Sequence, residues 1–212
     1  MTAIRQIQRL GFDPRDVRHI VLTHLDFDHA GGLDDFPHAR VHLMTRERDA
    51  ALAQHTWMDR QRFRPQQWST RGQWRTYDST SGAAWMGLEC VHDLHGLPPE
   101  ILLVPLPGHT FGHAAVAVRT PERWLLLAGD AYFYHREMDP QPYCTPGLRF
   151  YQWMLEKDRT ARLHNQQRLR ALRQQHGAEV EVFCSHDVVE FERVAGLPAR
   201  LPAGALQHAP TA

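Results

Sequence analysis

The sequence has little of what marks several common classes of protein. Its 212 residues contain only three cysteines, and none are spaced as Cys-x-x-Cys, which excludes a disulfide scaffold and a zinc ribbon. No apolar run approaches the roughly 18 residues that a membrane-spanning helix needs. Basic and acidic residues number 24 each, so the chain has no excess positive charge for binding phosphates. We therefore expect neither a nucleic-acid partner nor a membrane.

The remaining composition is typical of one globular domain. Hydrophobic residues make up 42% of the chain, enough for a sizeable core. Scarce cysteine favours a reducing compartment, and residues 1–10 show no apolar stretch typical of a secretory signal, so we expect a cytoplasmic protein. Strand-like apolar runs alternate with helical patterns, at 19–23, 101–104, 124–127 and 180–184 for strands and at 46–54 and 151–176 for helices. This alternation predicts a mixed α/β sandwich.

Two segments stand apart from that alternation. The first segment is residues 45–100; its part from 55 to 100 has poor periodicity and holds four of the six tryptophans and five arginines (Trp57, Trp68, Trp74, Trp85, Arg60, Arg62, Arg64, Arg71 and Arg75). Such a segment often forms a lid or pocket wall, and the alternative is a tryptophan packing layer with solvated arginines. Residues 196–212, rich in alanine and proline, are expected to form a disordered tail. The main domain is assigned to residues 1–195.

Histidine is unusually frequent, with 15 residues, and it is the commonest metal ligand. Histidines and aspartates follow the predicted strands directly, at His24, Asp26, Asp28, His29, His109, Asp130 and His186. Side chains at alternate positions of an extended segment face the same way, so His24 and Asp26 can bind one ion together. Asp28 and His29, beyond the strand end, can turn toward a second ion. Imidazole and carboxylate donors suit Zn²⁺, Fe²⁺ or Mn²⁺.

The same residues carry a resemblance to a known family. The string THLDFDHAGG is similar to the His-x-His-x-Asp-His signature of the metallo-β-lactamase superfamily, especially of its lactonase-like hydrolases. The strings PGHTFGH, AGDA and SHD follow in that family's order, so the resemblance covers residues 5–190. It implies an αββα sandwich whose sheet edges hold two divalent metal ions, in the first instance Zn²⁺.

The resemblance also implies a role for each donor. The first metal would be held by His24, Asp26 and His109, the second by Asp28, His29 and His186, and Asp130 would bridge the two ions. His113, the second histidine of the GHTFGH string, would support the site from behind the ligands.

Three departures from the family pattern qualify these expectations. Asp26 stands where the family has a second histidine. Three aspartates and a bridging hydroxide would then balance the four positive charges of two divalent ions, which predicts a metal site with weaker Lewis acidity than one with histidine at position 26. The additional carboxylate also makes Fe or Mn plausible at the first position. Phe133 stands where the lactonases have a tyrosine, between Tyr132 and Tyr134. Only 23 residues precede His24, fewer than in the family, so we expect the first sheet to be incomplete at its N-terminus or the start of the chain to be assigned late.

The implied function is that of a metal-dependent hydrolase, in which a metal-bridged hydroxide cleaves a small ester, lactone or thioester. Asp28 would orient this nucleophile and shuttle its proton, and Tyr132 or Tyr134 would hydrogen-bond the developing oxyanion. The tryptophan-rich segment would line the apolar part of a small-molecule substrate. Two alternatives stay open: a mononuclear iron oxygenase on the same fold, as in the persulfide dioxygenases, and a truncated, non-catalytic metal-binding domain. The sequence also leaves a homodimer open.

Overall fold

The structure is a computed structural model that describes residues 2–69 and 71–196. Within these residues, two β-sheets and seven α-helices form the α/β arrangement expected from the sequence. Every helix in the described part of the chain is too short or too polar to cross a bilayer. The tail expected at 196–212 lies outside the described residues, apart from Gly196.

The smaller sheet consists of three parallel strands, β1 (His19–Val21), β2 (Arg40–Met44) and β3 (Trp74–Tyr77), with β2 in the centre. Parallel strands are usually covered on both faces, and four of the five residues of β2 are buried. Leu25, Leu43, Phe63 and Trp68 are all at most 1% exposed and pack in one apolar cluster with this sheet. This cluster fixes the end of β1 from which the first donors emerge.

The larger sheet has six strands in chain order: β4 (Ala83–Trp85), β5 (Leu88–Asp93), β6 (Ile101–Pro105), β7 (Ala114–Arg119), β8 (Trp124–Leu127) and β9 (Val180–Phe183). Neighbouring strands are antiparallel except β8 and β9, which are parallel. Because β8 and β9 are parallel, their carboxyl ends lie at the same edge. Asp130 and His186 follow these two ends.

The helices are α1 (Ala3–Arg9), α2 (Phe27–Ala30), α3 (Thr45–Ala53), α4 (Trp57–Arg62), α5 (Pro146–Leu155), α6 (Arg159–His176) and α7 (Val188–Ala195). The single helix predicted at 151–176 is wrong, since the structure has two helices with a break between them. Asp158 caps α6 by accepting a hydrogen bond from the backbone of Ala161. The backbone N–H groups of Lys157 and Asp158 both donate to the carbonyl of Gly108, a tertiary contact that helical periodicity does not reveal.

Residues 45–100 contain α3, α4 and β3 to β5 and so contribute strands to both sheets. Trp68 is buried in the core around the smaller sheet, and its ring lies 5.4 Å from that of Trp74 between centroids. Trp85 packs against Trp124, and Trp57 is 65% exposed. The tryptophans thus serve mainly as packing residues, the alternative that the composition left open.

Candidate metal centre

The seven predicted donors reach one place because the strands that precede them end there. His24 to His29 follow β1, His109 follows β6, Asp130 follows β8 and His186 follows β9. The turn before His109 requires glycine at position 108, where φ is +145° and a Cβ would lie 2.5 Å from backbone atoms of Arg162. Gly129, with φ of +56°, similarly lets the chain pass His113 just before Asp130.

The first donor group consists of His24 Nε2, His109 Nε2 and Asp130 Oδ2, all buried and within 4.8 Å of one another. Asp130 Oδ2 lies 3.8 Å from His24 Nε2 and 3.5 Å from His109 Nε2. Asp26 Oδ2 borders the same group, at 3.5 Å from His24 Nε2 and 3.0 Å from His109 Nε2. The structure therefore brings together the four residues that the resemblance assigns to a first ion.

The second donor group consists of Asp28, His29 and His186. The Nε2 atoms of His29 and His186 face each other at 3.3 Å, and Asp28 Oδ2 lies 3.6 and 3.7 Å from them. The other oxygen of Asp130, Oδ1, is 3.3 Å from both imidazole nitrogens. One carboxylate thus offers a separate oxygen to each group, the arrangement expected of a bridging ligand.

These spacings fit a pair of divalent ions. Metal–donor bonds of about 2.0–2.1 Å at tetrahedral angles separate neighbouring donors by roughly 3.3–3.4 Å. The buried His24 Nε2 has no hydrogen-bond partner within the described residues, an unsatisfied position that an ion would satisfy.

Protonation in the first donor group favours metal binding, whereas in the second group the hydrogen bonds to Asp130 raise the pKa of His186 and, despite its burial, that of His29. Burial lowers the pKa of His24 to about 4, so its imidazole is neutral at physiological pH. The pKa of Asp130 lies below its usual range despite burial, because His186 and His29 hydrogen-bond its carboxylate. Burial likewise opposes ionisation of Asp26, but the neighbouring His24, His109 and Arg62 hold its pKa well below the usual value. Neutral imidazole and ionised carboxylate are the forms that bind metals.

His113 supports the site as expected. Its buried Nε2 lies 3.0 Å from the backbone nitrogen of Asp130, whose N–H donates to it. The other ring nitrogen donates to the carbonyl of Leu106 at 3.0 Å, which fixes the tautomer. Because both nitrogens are occupied and burial lowers the pKa of His113 well below its usual value, the ring is neutral and orients Asp130.

Two buried residues near the donors were missed by sequence reasoning. Glu47 of α3 accepts hydrogen bonds from the backbone of Leu25, the hydroxyl of Thr110 and the backbone of Gly112, and so joins the first and second donor-bearing loops. Arg62 of α4 forms a two-pronged ion pair with Asp26. Nothing local in the sequence marks either residue. The alternative of solvated arginines at 60–75 is wrong for Arg62, which is 3% exposed.

The tyrosines do not lie where the proposed chemistry needs them. Tyr132 is fully buried, and its hydroxyl donates to Glu190 at 2.8 Å, so the structure does not support its expected role as an oxyanion donor. Tyr134 packs against His135 and Tyr143 and does not line the cleft beside the donors. Phe133 lies there instead, with its ring centroid 5.8 Å from that of His109 and 5.6 Å from that of His186.

A cleft of about 310 Å³ opens beside the two donor groups. Its apolar wall consists of Phe27, Phe133, Leu148, Tyr151 and Leu155. No tryptophan of the described residues contributes to this lining, and the tryptophan-rich segment contributes Arg62 to it. The aromatic residues of the wall come from α2, α5 and the loop after β8.

Comparisons with known proteins agree with this geometry. The family model described as the metallo-beta-lactamase superfamily matches residues 1–186. A probable metallo-hydrolase of Mycobacterium tuberculosis is 38% identical over 186 residues, which cover 88% of this chain and 60% of that protein. An N-acyl homoserine lactonase of Azorhizobium caulinodans is 31% identical over 135 residues, covering 61% and 47%. The matched part of the chain thus spans less than two thirds of the length of these relatives.

A solved structure of an N-acyl homoserine lactone hydrolase, with product bound at its catalytic metal centre, superposes with a TM-score of 0.66. The sequence identity is 20%, and the match covers 90% of this chain and 64% of that one. At this identity the likeness concerns the fold alone, and it confirms the αββα class expected from the sequence.

Proposed function

Because the chain belongs to the metallo-β-lactamase superfamily, we propose that its two donor groups hold two divalent metal ions and that it is a metal-dependent hydrolase. The observation that carries this proposal is the position of Asp130, whose two oxygens face the two donor groups separately. A carboxylate shared in this way is what a two-metal hydrolytic site requires. The nitrogen-rich donor set, with four histidines, favours zinc.

The proposed substrate is a small ester, lactone or thioester. Its apolar portion would lie against Phe133, Leu148 and Tyr151 in the cleft of about 310 Å³, a size suited to a small molecule. The reacting carbonyl would lie at the polar floor, where Asp28, Asp130 and His186 line the same cleft.

When bound, two divalent ions would supply Lewis acidity, which polarises a carbonyl and lowers the pKa of water. The remaining steps belong to the side chains. Asp28 is half exposed and lies at the boundary between the second donor group and the cleft, so Oδ2 can accept a proton from the attacking water and return it to the leaving group. Tyr151 is the tyrosine that lines the cleft, and its hydroxyl is the proposed hydrogen-bond donor to the developing oxyanion.

The test is hydrolysis of a panel of lactones, esters and thioesters by zinc-loaded protein, together with the variants His109→Ala and Asp28→Asn. The control is His164→Ala, which removes an exposed histidine of α6 that belongs to neither donor group. We expect activity in the wild type and the control and a loss of at least about a hundredfold in both site variants. Equal rates in all four proteins would overturn the proposal, as would a single iron per chain with oxygen uptake on a thiol substrate.

A further inference from the structure

The most unusual contact of the site joins Asp26, which stands where the family has a histidine, to Arg62. Arg62 Nε donates to Asp26 Oδ1 at 2.7 Å, and Nη2 donates to Asp26 Oδ2 at 2.6 Å. Both residues are buried, with 3% and 6% exposure, so solvent does not screen the pair. Two parallel hydrogen bonds of this kind hold the carboxylate in one position and orientation, and the guanidinium also balances its negative charge.

The pair is itself held by the fold. Arg62 Nη1 donates to the carbonyl of Leu155, at the end of α5, with a distance of 2.8 Å. An isolated antiparallel bridge between Asp26 and Phe63 brings the end of α4 against the donor loop. The guanidinium therefore cannot leave Asp26 without disturbing both helices that border the cleft.

Asp26 Oδ2 faces the guanidinium and the first donor group at the same time. It lies 3.0 Å from His109 Nε2 and 3.5 Å from His24 Nε2, while accepting the bond from Arg62. Arg62 Nη2 also approaches His109 Nε2, at 3.0 Å. The guanidinium therefore lies against both the carboxylate and the imidazole that border the first position.

Arg62 changes the formal charge expected of the site with two ions bound. Three aspartates and a hydroxide balance two divalent ions, but Arg62 adds one buried positive charge that the sequence pattern did not reveal. An aspartate paired with an arginine is neutral overall, as an imidazole is. The site therefore has the same formal charge that a histidine at position 26 would give.

We propose that Asp26 and Arg62 act as one unit that replaces an imidazole ligand at the first metal position. Asp26 supplies the donor atom, and Arg62 is a positioning residue that holds the carboxylate, draws electron density from it and cancels its charge. The pair thereby keeps the first position selective for zinc, against the preference for manganese that a free carboxylate would confer. This inference rests on the proposed metal centre but not on the reaction assigned to it.

The test compares metal binding by the wild type, Arg62→Gln, Arg62→Lys and the double variant Asp26→His/Arg62→Gln. The matched control is Arg60→Gln, an exposed arginine of the same helix that donates to the carbonyl of Gln54. Zinc and manganese content after equilibrium dialysis is measured by elemental mass spectrometry, and affinities are measured by competition with a chromophoric chelator.

We expect two zinc ions per chain in the wild type and in the control. In Arg62→Gln, the ratio of manganese to zinc affinity at the first position should rise by about tenfold, the lower end of the effect of removing a partner of a metal ligand. Arg62→Lys keeps the positive charge without the two-pronged hydrogen bonding, so its ratio of manganese to zinc affinity should lie between those of the wild type and Arg62→Gln. The double variant should return to the wild-type ratio, and because it buries no unpaired charge it remains informative should Arg62→Gln fail to fold.

If the ratio of manganese to zinc affinity in Arg62→Gln equals that of the wild type and of Arg60→Gln, the inference is overturned, while the proposed metal centre is unaffected. A double variant that folds but keeps only one zinc would do the same. A wild type that binds no metal would overturn the proposed function as well, so the two failures are distinguishable.

Discussion

Glu47 offers a sharp test of how the donor loops are held together. Its side chain is fully buried and accepts three hydrogen bonds, from Leu25 at 2.9 Å, from the hydroxyl of Thr110 at 2.6 Å and from Gly112 at 3.1 Å. Leu25 lies between His24 and Asp26, and Thr110 follows His109. One carboxylate thus connects two loops whose donors must meet at the first ion.

The cost of Glu47→Ala follows from the donors it would leave unpaired. The hydroxyl of Thr110 can rotate to another partner, but the backbone N–H groups of Leu25 and Gly112 cannot, and each orphaned buried group costs about 1–3 kcal/mol. We expect Glu47→Ala to lower the free energy of unfolding by about 4 kcal/mol, which corresponds to a fall in Tm of about 8–16 °C for a domain of this size. Glu47→Gln keeps one oxygen and should cost about half as much, because a single backbone donor then faces the amide NH₂.

The assay is urea unfolding of the metal-free variants at pH 6, below the pKa of about 7 to which burial raises Glu47. Glu122→Ala, at an exposed turn, is the control. The expected order of stability is control, Glu47→Gln, Glu47→Ala. If Glu47→Ala unfolds at the same urea concentration as the control, the two loops are not held by this carboxylate and the reasoning fails.

Three further predictions follow from individual contacts. Burial raises the folded-state pKa of Glu47 from 4.5 to about 7, so its contribution to stability is complete below pH 4.5 and is lost as the pH rises through 7. Glu47→Gln does not titrate, so its free energy of unfolding relative to that of the wild type should rise by about 3 kcal/mol between pH 4.5 and pH 7, as measured by urea unfolding. Tyr151→Phe should lower kcat by about a hundredfold, whereas Tyr132→Phe should lower only the Tm, and the reverse pattern would contradict the assignment of the oxyanion donor. His113→Ala should weaken zinc binding by about 10- to 100-fold in chelator competition, and an affinity equal to that of His164→Ala would show that His113 does not orient Asp130.

The donors themselves could be predicted from the sequence because each follows a strand directly. The pattern from His24 to His29 sets donor spacing locally, and the ends of β8 and β9 bring Asp130 and His186 to one edge. Phe133 was also identified as a departure before the structure placed it beside His109 and His186. In these cases the residue's position in an element determines where its side chain points.

The supporting residues could not be predicted, because their partners are distant along the chain. Arg62 pairs with Asp26 across 36 positions, and Glu47 reaches Thr110 across 63. The break between α5 and α6 has the same origin, a contact with Gly108 that no helical pattern encodes.

The central claim, that Asp130 joins two donor groups into a two-ion site, is tested most directly by counting ions. Native mass spectrometry of zinc-saturated protein should show two ions per chain in the wild type, and one each in His109→Ala and His186→Ala, which remove a donor from different groups. A wild type saturated by a single ion, or two ions retained in both variants, would contradict it.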